Sequence, residues 1–99
     1  MKRAKYRISE TAIKDLNGIW EYTLLNWSKE QADRYYSVIM NEIEFISENT
    51  TSGKPMGHVK EGYLVVYVKS HMIFFKRNEG LVEIIRILHQ KMDFESNLG

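Results

Sequence analysis

The sequence predicts an α+β domain in the order β-α-α-β-β-β, a two-helix hairpin packed on a twisted antiparallel sheet. Apolar residues recur every three or four positions from Ile13 to Trp27 and again from Ala32 to Ile46, which is the period of a helix with one buried face. Three runs rich in Val, Ile, Tyr and Phe follow, separated by short turn sequences. The chain has 99 residues, 43% of them hydrophobic. That suffices for one core and not for two, so residues 1–99 are expected to form one domain.

The first strand is expected at Ala4–Ile8, where strand formers alternate, with Ser9 placed to cap the helix after it. The first helix carries the stripe Ile13, Leu16, Trp20, Leu24 and Trp27, widened by Ile19. Gly18 in its middle costs about 1 kcal/mol against alanine and leaves room for a second helix to approach. Ser28 and Gln31 form a capping box, in which hydroxyl and amide satisfy each other's orphan backbone donors, so a second helix begins there. Its stripe is Ala32, Tyr36, Ile39, Ile43 and Ile46, flanked by Tyr35, Val38 and Met40, and it runs to about Glu48. With almost no loop between them, the helices form an antiparallel hairpin.

Asn49–Lys60 contains Thr, Ser, Gly and Pro55 and reads as a loop. Gly62–Lys69, Met72–Arg77 and Leu81–Leu88 then make an antiparallel meander, turning at Ser70-His71 and at Asn78-Glu79-Gly80. Strict alternation sends Val82, Ile84, Arg86 and Leu88 to one face and Leu81, Glu83, Ile85 and Ile87 to the other. Both faces are largely apolar, and one helical hairpin covers one of them. The other is left for a partner, for the C-terminal tail or for a second copy.

Composition narrows the function. Zero cysteines removes thiol nucleophiles, disulfides and thiolate metal sites, and fits a reducing, cytoplasmic compartment. No apolar run approaches a membrane span, and the basic start runs into a polar stretch rather than an export signal. Both ends of the chain are basic and residues 10–48 are acidic, an asymmetry hidden by a net charge of +1. His58, His71 and His89 show no metal-ligand spacing, and there is no phosphate loop, dinucleotide fingerprint or nucleophile elbow. No metal or cofactor is expected. Glu42, Glu44 and Glu48 read as the solvated side of the second helix. Trp20, Trp27, Tyr35 and Tyr36 read as core or hairpin seam rather than as a base-stacking platform. The end of the last strand differs: an apolar strand closes in Arg86, His89, Gln90, Lys91 and Asp93, groups able to grip a phosphate, a carboxylate or a protein surface.

Glu83-Ile84-Ile85-Arg86-Ile87-Leu88-His89-Gln90-Lys91-Met92-Asp93, followed by a short tail to Leu98, resembles the C-terminal end of ParE-type toxins. Leu64-Val65-Val66-Tyr67, Met72-Ile73-Phe74-Phe75-Lys76 and the helix entry Ser9-Glu10-Thr11-Ala12 fit the same pattern, so the similarity extends over essentially the whole chain. The resemblance implies the RelE/ParE fold, a cognate antitoxin of the ParD kind forming a hetero-oligomer with the toxin, and DNA gyrase as the target. It weights the choice of occupant for the second sheet face toward a partner. Under it, Arg86, His89, Gln90, Lys91 and Asp93 are expected to contact the target, without catalysis, and Val66, Tyr67, Phe74 and Ile84 to bind the antitoxin.

Two other readings stay open. The RelE branch cuts mRNA on the ribosome, and Arg86, His89 and Lys91 would carry that chemistry here. RNA cleavage needs a base, an acid and cations on the scissile phosphate, and no tyrosine follows Tyr67 to serve as the acid near the terminus. Direct contact with nucleic acid depends on this choice. The third reading is an inactive relic that binds antitoxin alone.

Overall fold

The computed structural model describes residues 5–49, 51–57, 60–91 and 98. Ala4, His58, Met92, Asp93 and Phe94 lie outside the described residues. The elements are β1 (Tyr6–Ile8), α1 (Glu10–Asn26), α2 (Lys29–Glu48), β2 (Lys54–Pro55), β3 (Leu64–Val68), β4 (His71–Asn78) and β5 (Leu81–His89). Both helices begin as their caps dictate. Ser9 Oγ accepts the Ala12 N–H at 3.0 Å and Ser28 Oγ accepts the Gln31 N–H at 3.1 Å. The predicted loop contains the two-residue edge strand β2, where Pro55 is tolerated because an edge strand has an unpaired side. His71 begins β4, and the turn before it is Lys69-Ser70, with Lys69 at a φ of 55°.

The strands form one sheet in the order β1-β5-β4-β3-β2. The meander is antiparallel as expected, but β1 runs parallel to β5, so the sheet is mixed. Ser9 alone separates β1 from α1, so β1 must leave the sheet at the end where α1 starts. That end lies beside the middle of β5, where the Ser9 N–H donates to the Ile84 carbonyl at 3.0 Å.

Strict alternation fails in β5. Phe74 pairs with Arg86 while Phe75 pairs with Ile84, so Ile85 is an extra residue and the strand bulges there. The phase flips beyond it. Val82, Ile84 and Ile87 therefore join Ala12 and Leu16 of α1, Ile39, Ile43 and Ile46 of α2, and Val68, Ile73 and Phe75 in the core under the helices. Leu88 falls on the opposite face with Val65, Met72 and Phe74.

That opposite face is not bare. Met56, Tyr63 and the C-terminal Leu98 pack on it, and Met72, Phe74 and Leu88 are at most 2% exposed. The chain's own residues bury both sides of the meander. Of the three occupants open to the second face the resemblance favours a partner, and in the structure Leu98, Met56 and Tyr63 of the chain itself take that place.

Arg77, on β4, joins the layers. Its guanidinium donates to the carbonyls of Ile46, Asn49 and Ser52, tying β4 to the end of α2 and the turn that follows it. Gly53, at a φ of 100°, lies so close to Phe75 that a Cβ there would come within 2.6 Å of the ring.

Candidate functional site

The bulge fixes how the end of β5 is held. An extra residue frees backbone groups that the ladder cannot satisfy, and α1 supplies their partners. Ser9 Oγ donates to the Ile85 carbonyl at 2.9 Å while it caps the helix. Two turns on, Asp15 accepts the Ile87 N–H at 2.9 Å and also takes Arg86, from Nε at 2.8 Å and Nη2 at 3.1 Å. Both side chains of this bidentate pair are less than 20% exposed, and the hydrogen bond to Asp15 raises the guanidinium pKa. Arg86, expected to contact a target or a phosphate, is instead engaged at the junction of α1 and β5. The sequence did hold a signal: Asp15 is a lone acid within the buried face of Ala12, Leu16 and Ile19, opposite a lone arginine in an apolar strand.

The other terminal residues do not converge on one point. Gln90 staples the strand end to the β3–β4 turn, its backbone N–H donating to the Ser70 carbonyl at 2.9 Å and its Nε2 to the Lys69 carbonyl at 2.8 Å. Lys91 is exposed, and its N–H donates to His89 Nδ1 at 3.1 Å. Asp93 lies outside the described residues.

Of the residues assigned to the antitoxin, Phe74 and Ile84 are fully buried, and Val66 is half-buried against the core under the helices. Phe74 and Ile84 therefore present no open surface in the isolated chain, and Val66 presents part of one. Tyr67 is 58% exposed.

Exposed apolar surface occurs instead on the helical hairpin. Tyr22, Leu25 and Trp27 are 65%, 82% and 73% exposed, so Trp27 is neither core nor seam. Tyr22 and Trp27 line a cleft of about 890 Å³ between the hairpin and one end of the central strands β4 and β5. Lys14, Asp15 and Ile19 of α1, Gln31, Arg34, Tyr35 and Val38 of α2, the Lys69-Ser70 turn, and His71, Ile87 and His89 of the sheet complete its walls. Most of this lining is apolar, and its charged members other than Asp15 are basic.

Three rings meet on the sheet side of the cleft. Tyr35 Oη lies 2.5 Å from His71 Nδ1 and 3.4 Å from the Val68 carbonyl. The His71 and His89 rings, on directly paired strand positions, sit edge to face with centroids 5.1 Å apart. Burial first, and then the neighbouring His89, push the His71 imidazole down to about 4, with Asp15 opposing. Burial raises the Tyr35 phenol. No tyrosine lies near the last strand in the sequence; the fold brings one from α2, a contact that no spacing within a single element encodes. Among the described residues there is no group of three or more His, Cys, Asp or Glu able to hold a metal, and no helix is long and apolar enough to cross a membrane.

The helical hairpin on a mixed sheet is similar in fold to a solved structure of a chromosomal ParDE toxin–antitoxin system from P. aeruginosa. The two share a TM-score of 0.77 at 17% identity, covering 87% of this chain and 95% of the other. The family model for the ParE toxin of type II toxin–antitoxin systems, parDE, matches residues 6–94. Toxin ParE1 of Caulobacter vibrioides is 38% identical over 94 residues, 95% of this chain and 97% of the relative. Toxin ParE1 of Mycobacterium tuberculosis is 30% identical over 96 residues, 96% and 98% respectively. This chain belongs to the ParE toxin family of type II toxin–antitoxin systems.

Proposed function

We propose that the protein is a toxin that acts by binding DNA gyrase rather than by cutting RNA, and that a ParD-like antitoxin neutralises it by seating an apolar segment in the cleft beside the hairpin. The observation that carries this reading is the bidentate engagement of Arg86 by Asp15, which takes the strongest phosphate ligand of the nuclease trio out of play. His89 and Lys91 remain at the strand end, where with Gln90 they offer a polar surface suited to a protein target. Gyrase itself is carried over from the ParE resemblance. Exposed Trp27 and Tyr22 support the antitoxin seat, because tryptophan and tyrosine dominate protein interfaces and are costly to leave in water.

The test is supercoiling by purified gyrase with added toxin. Inhibition with trapped cleavage complexes is expected, relieved by the antitoxin, and an unaffected gyrase refutes the reading. Expression without antitoxin should arrest bacterial growth, which an inactive relic does not do.

One observation favours ribosome-dependent mRNA cleavage as a second reading. Tyr35, His71 and His89 stand together in a cleft also lined by Lys14, Arg34 and Lys69, a set that includes a phenol, imidazoles and cations. That reading requires mRNA cut on ribosomes, with cutting lost in His89→Ala.

A further inference from the structure

The cleft proposed as the antitoxin seat has an electrostatic bias that specifies what enters it. Lys14 of α1, Arg34 of α2 and Lys69 of the β3–β4 turn line it, and the one acid among its described lining residues, Asp15, is matched by Arg86. An apolar segment entering here meets uncompensated positive charge, so charge complementarity selects one that carries Asp or Glu beside its bulky side chains. Its contact point is set by the two histidines. The Nδ1 of each ring is engaged, by Tyr35 for His71 and by the Lys91 N–H for His89, and the Nε2 of each carries no hydrogen bond among the described residues.

Their surroundings give the two rings different roles. His89 Nδ1 accepts the Lys91 N–H, which leaves Nε2 as the ring nitrogen that can donate to a ligand. His71 can hold two protons without losing a bond. When its Nδ1 becomes a donor, the Tyr35 hydroxyl accepts from it and turns its own hydrogen to the Val68 carbonyl.

We propose that the antitoxin segment presents a carboxylate to the Nε2 atoms of His71 and His89, and that His71 takes up one proton from solvent as the segment docks. This rests on the cleft being the antitoxin seat. In the free chain, burial and His89 keep His71 neutral at pH 7, with Asp15 the acid that opposes them, and Lys14, Arg34 and Lys69 lining the same cleft. A partner carboxylate favours the imidazolium, so the bound-state pKa lies above the free value of about 4. Binding then tightens as pH falls through the bound-state value and levels off near the free one.

The experiment measures the affinity of purified toxin for the protein encoded in the adjacent reading frame. Tightening of about tenfold is expected between about pH 7.5 and about pH 5, one pKa unit of differential binding corresponding to tenfold. Calorimetry in two buffers of different ionisation enthalpy should show net proton uptake. His71→Gln should abolish the pH dependence, whereas His89→Gln should weaken binding across the range and make the slope shallower without removing it, because His89 helps to hold the free His71 value down. A flat profile, acid weakening, or a slope that survives in His71→Gln overturns the proposal. Trp27→Ala separates it from the reading beneath it. Unchanged affinity in that variant removes the cleft as the seat and the proposal with it, whereas weakened affinity with a flat profile removes the proton uptake alone. Displacement of the bound protein by a single-stranded oligonucleotide would make phosphate the ligand of the cleft and would also overturn it.

Discussion

Asp15 and Arg86 face each other across the junction of α1 and β5, joined by two hydrogen bonds, while the same carboxylate holds the Ile87 N–H beyond the bulge. One acid thus orients the arginine and the strand that carries it. Breaking a largely buried pair from one side leaves an uncompensated charge, so Arg86→Ala and Asp15→Ala should each destabilise the fold by about 3 kcal/mol. The double variant should lose far less than the sum. Urea unfolding of the four proteins measures the coupling, and additive losses would show the pair to be incidental.

Ser9 has two duties, capping α1 and donating to the Ile85 carbonyl at the bulge. Ser9→Ala should therefore cost about 2 kcal/mol, the upper end for a helix cap, because a bulge carbonyl also loses its donor. Ser28, whose hydroxyl caps α2 at an exposed position, provides the comparison. Ser28→Ala should cost about 1 kcal/mol or less in the same thermal or urea melts.

Phe74 and Tyr67 are both candidates for partner contact by sequence, and the structure separates them. Phe74→Ala should cost about 3–5 kcal/mol, since it empties a fully buried site beneath Leu98 and Tyr63. Tyr67→Ala, on an exposed side chain, should move stability by about 0.5 kcal/mol or less. Equal losses would contradict the different burial of the two rings.

His71 makes stability depend on pH in the isolated toxin. Its folded value of about 4 lies below the ordinary 6.5, so the unfolded chain binds the proton more readily. Its contribution is fully present above about pH 6.5 and is lost as pH falls toward about 4. Denaturation between pH 7 and 4.5 should show the decline, which His71→Gln should flatten, and imidazole NMR should place the titration of His71 below that of a free histidine.

The element order was readable because each helix and strand writes its own period, and both helix starts because Ser9 and Ser28 cap in the way their positions imply. What escaped depends on contacts between elements. The parallel placement of β1 follows from where α1 departs, and nothing in Tyr6–Ile8 encodes it. The bulge at Ile85 shifts which β5 side chains face the helices, and an apolar strand with apolar faces on both sides carries no signature of such a slip. Tyr36 fits the α2 stripe by spacing and is nonetheless exposed, whereas Ala32, Ile39, Ile43 and Ile46 are buried as their spacing required. The polar end of β5 stands out in the sequence, but its partners in α1 and the β3–β4 turn, which determine what each side chain can still touch, are distant along the chain.

The pairing of β1 with β5 has a consequence for how the molecule comes into being. The edge strand is made early in translation and the neighbour that completes it much later, so Tyr6–Ile8 and the bonds of Ser9 wait for nearly the whole intervening chain. A nascent chain that stops short of β5 has no Arg86 for Asp15, no Ile85 carbonyl for the α1 cap and no His89 beside His71. The core and the cleft beside the hairpin are therefore completed together, when the last strand closes on the first.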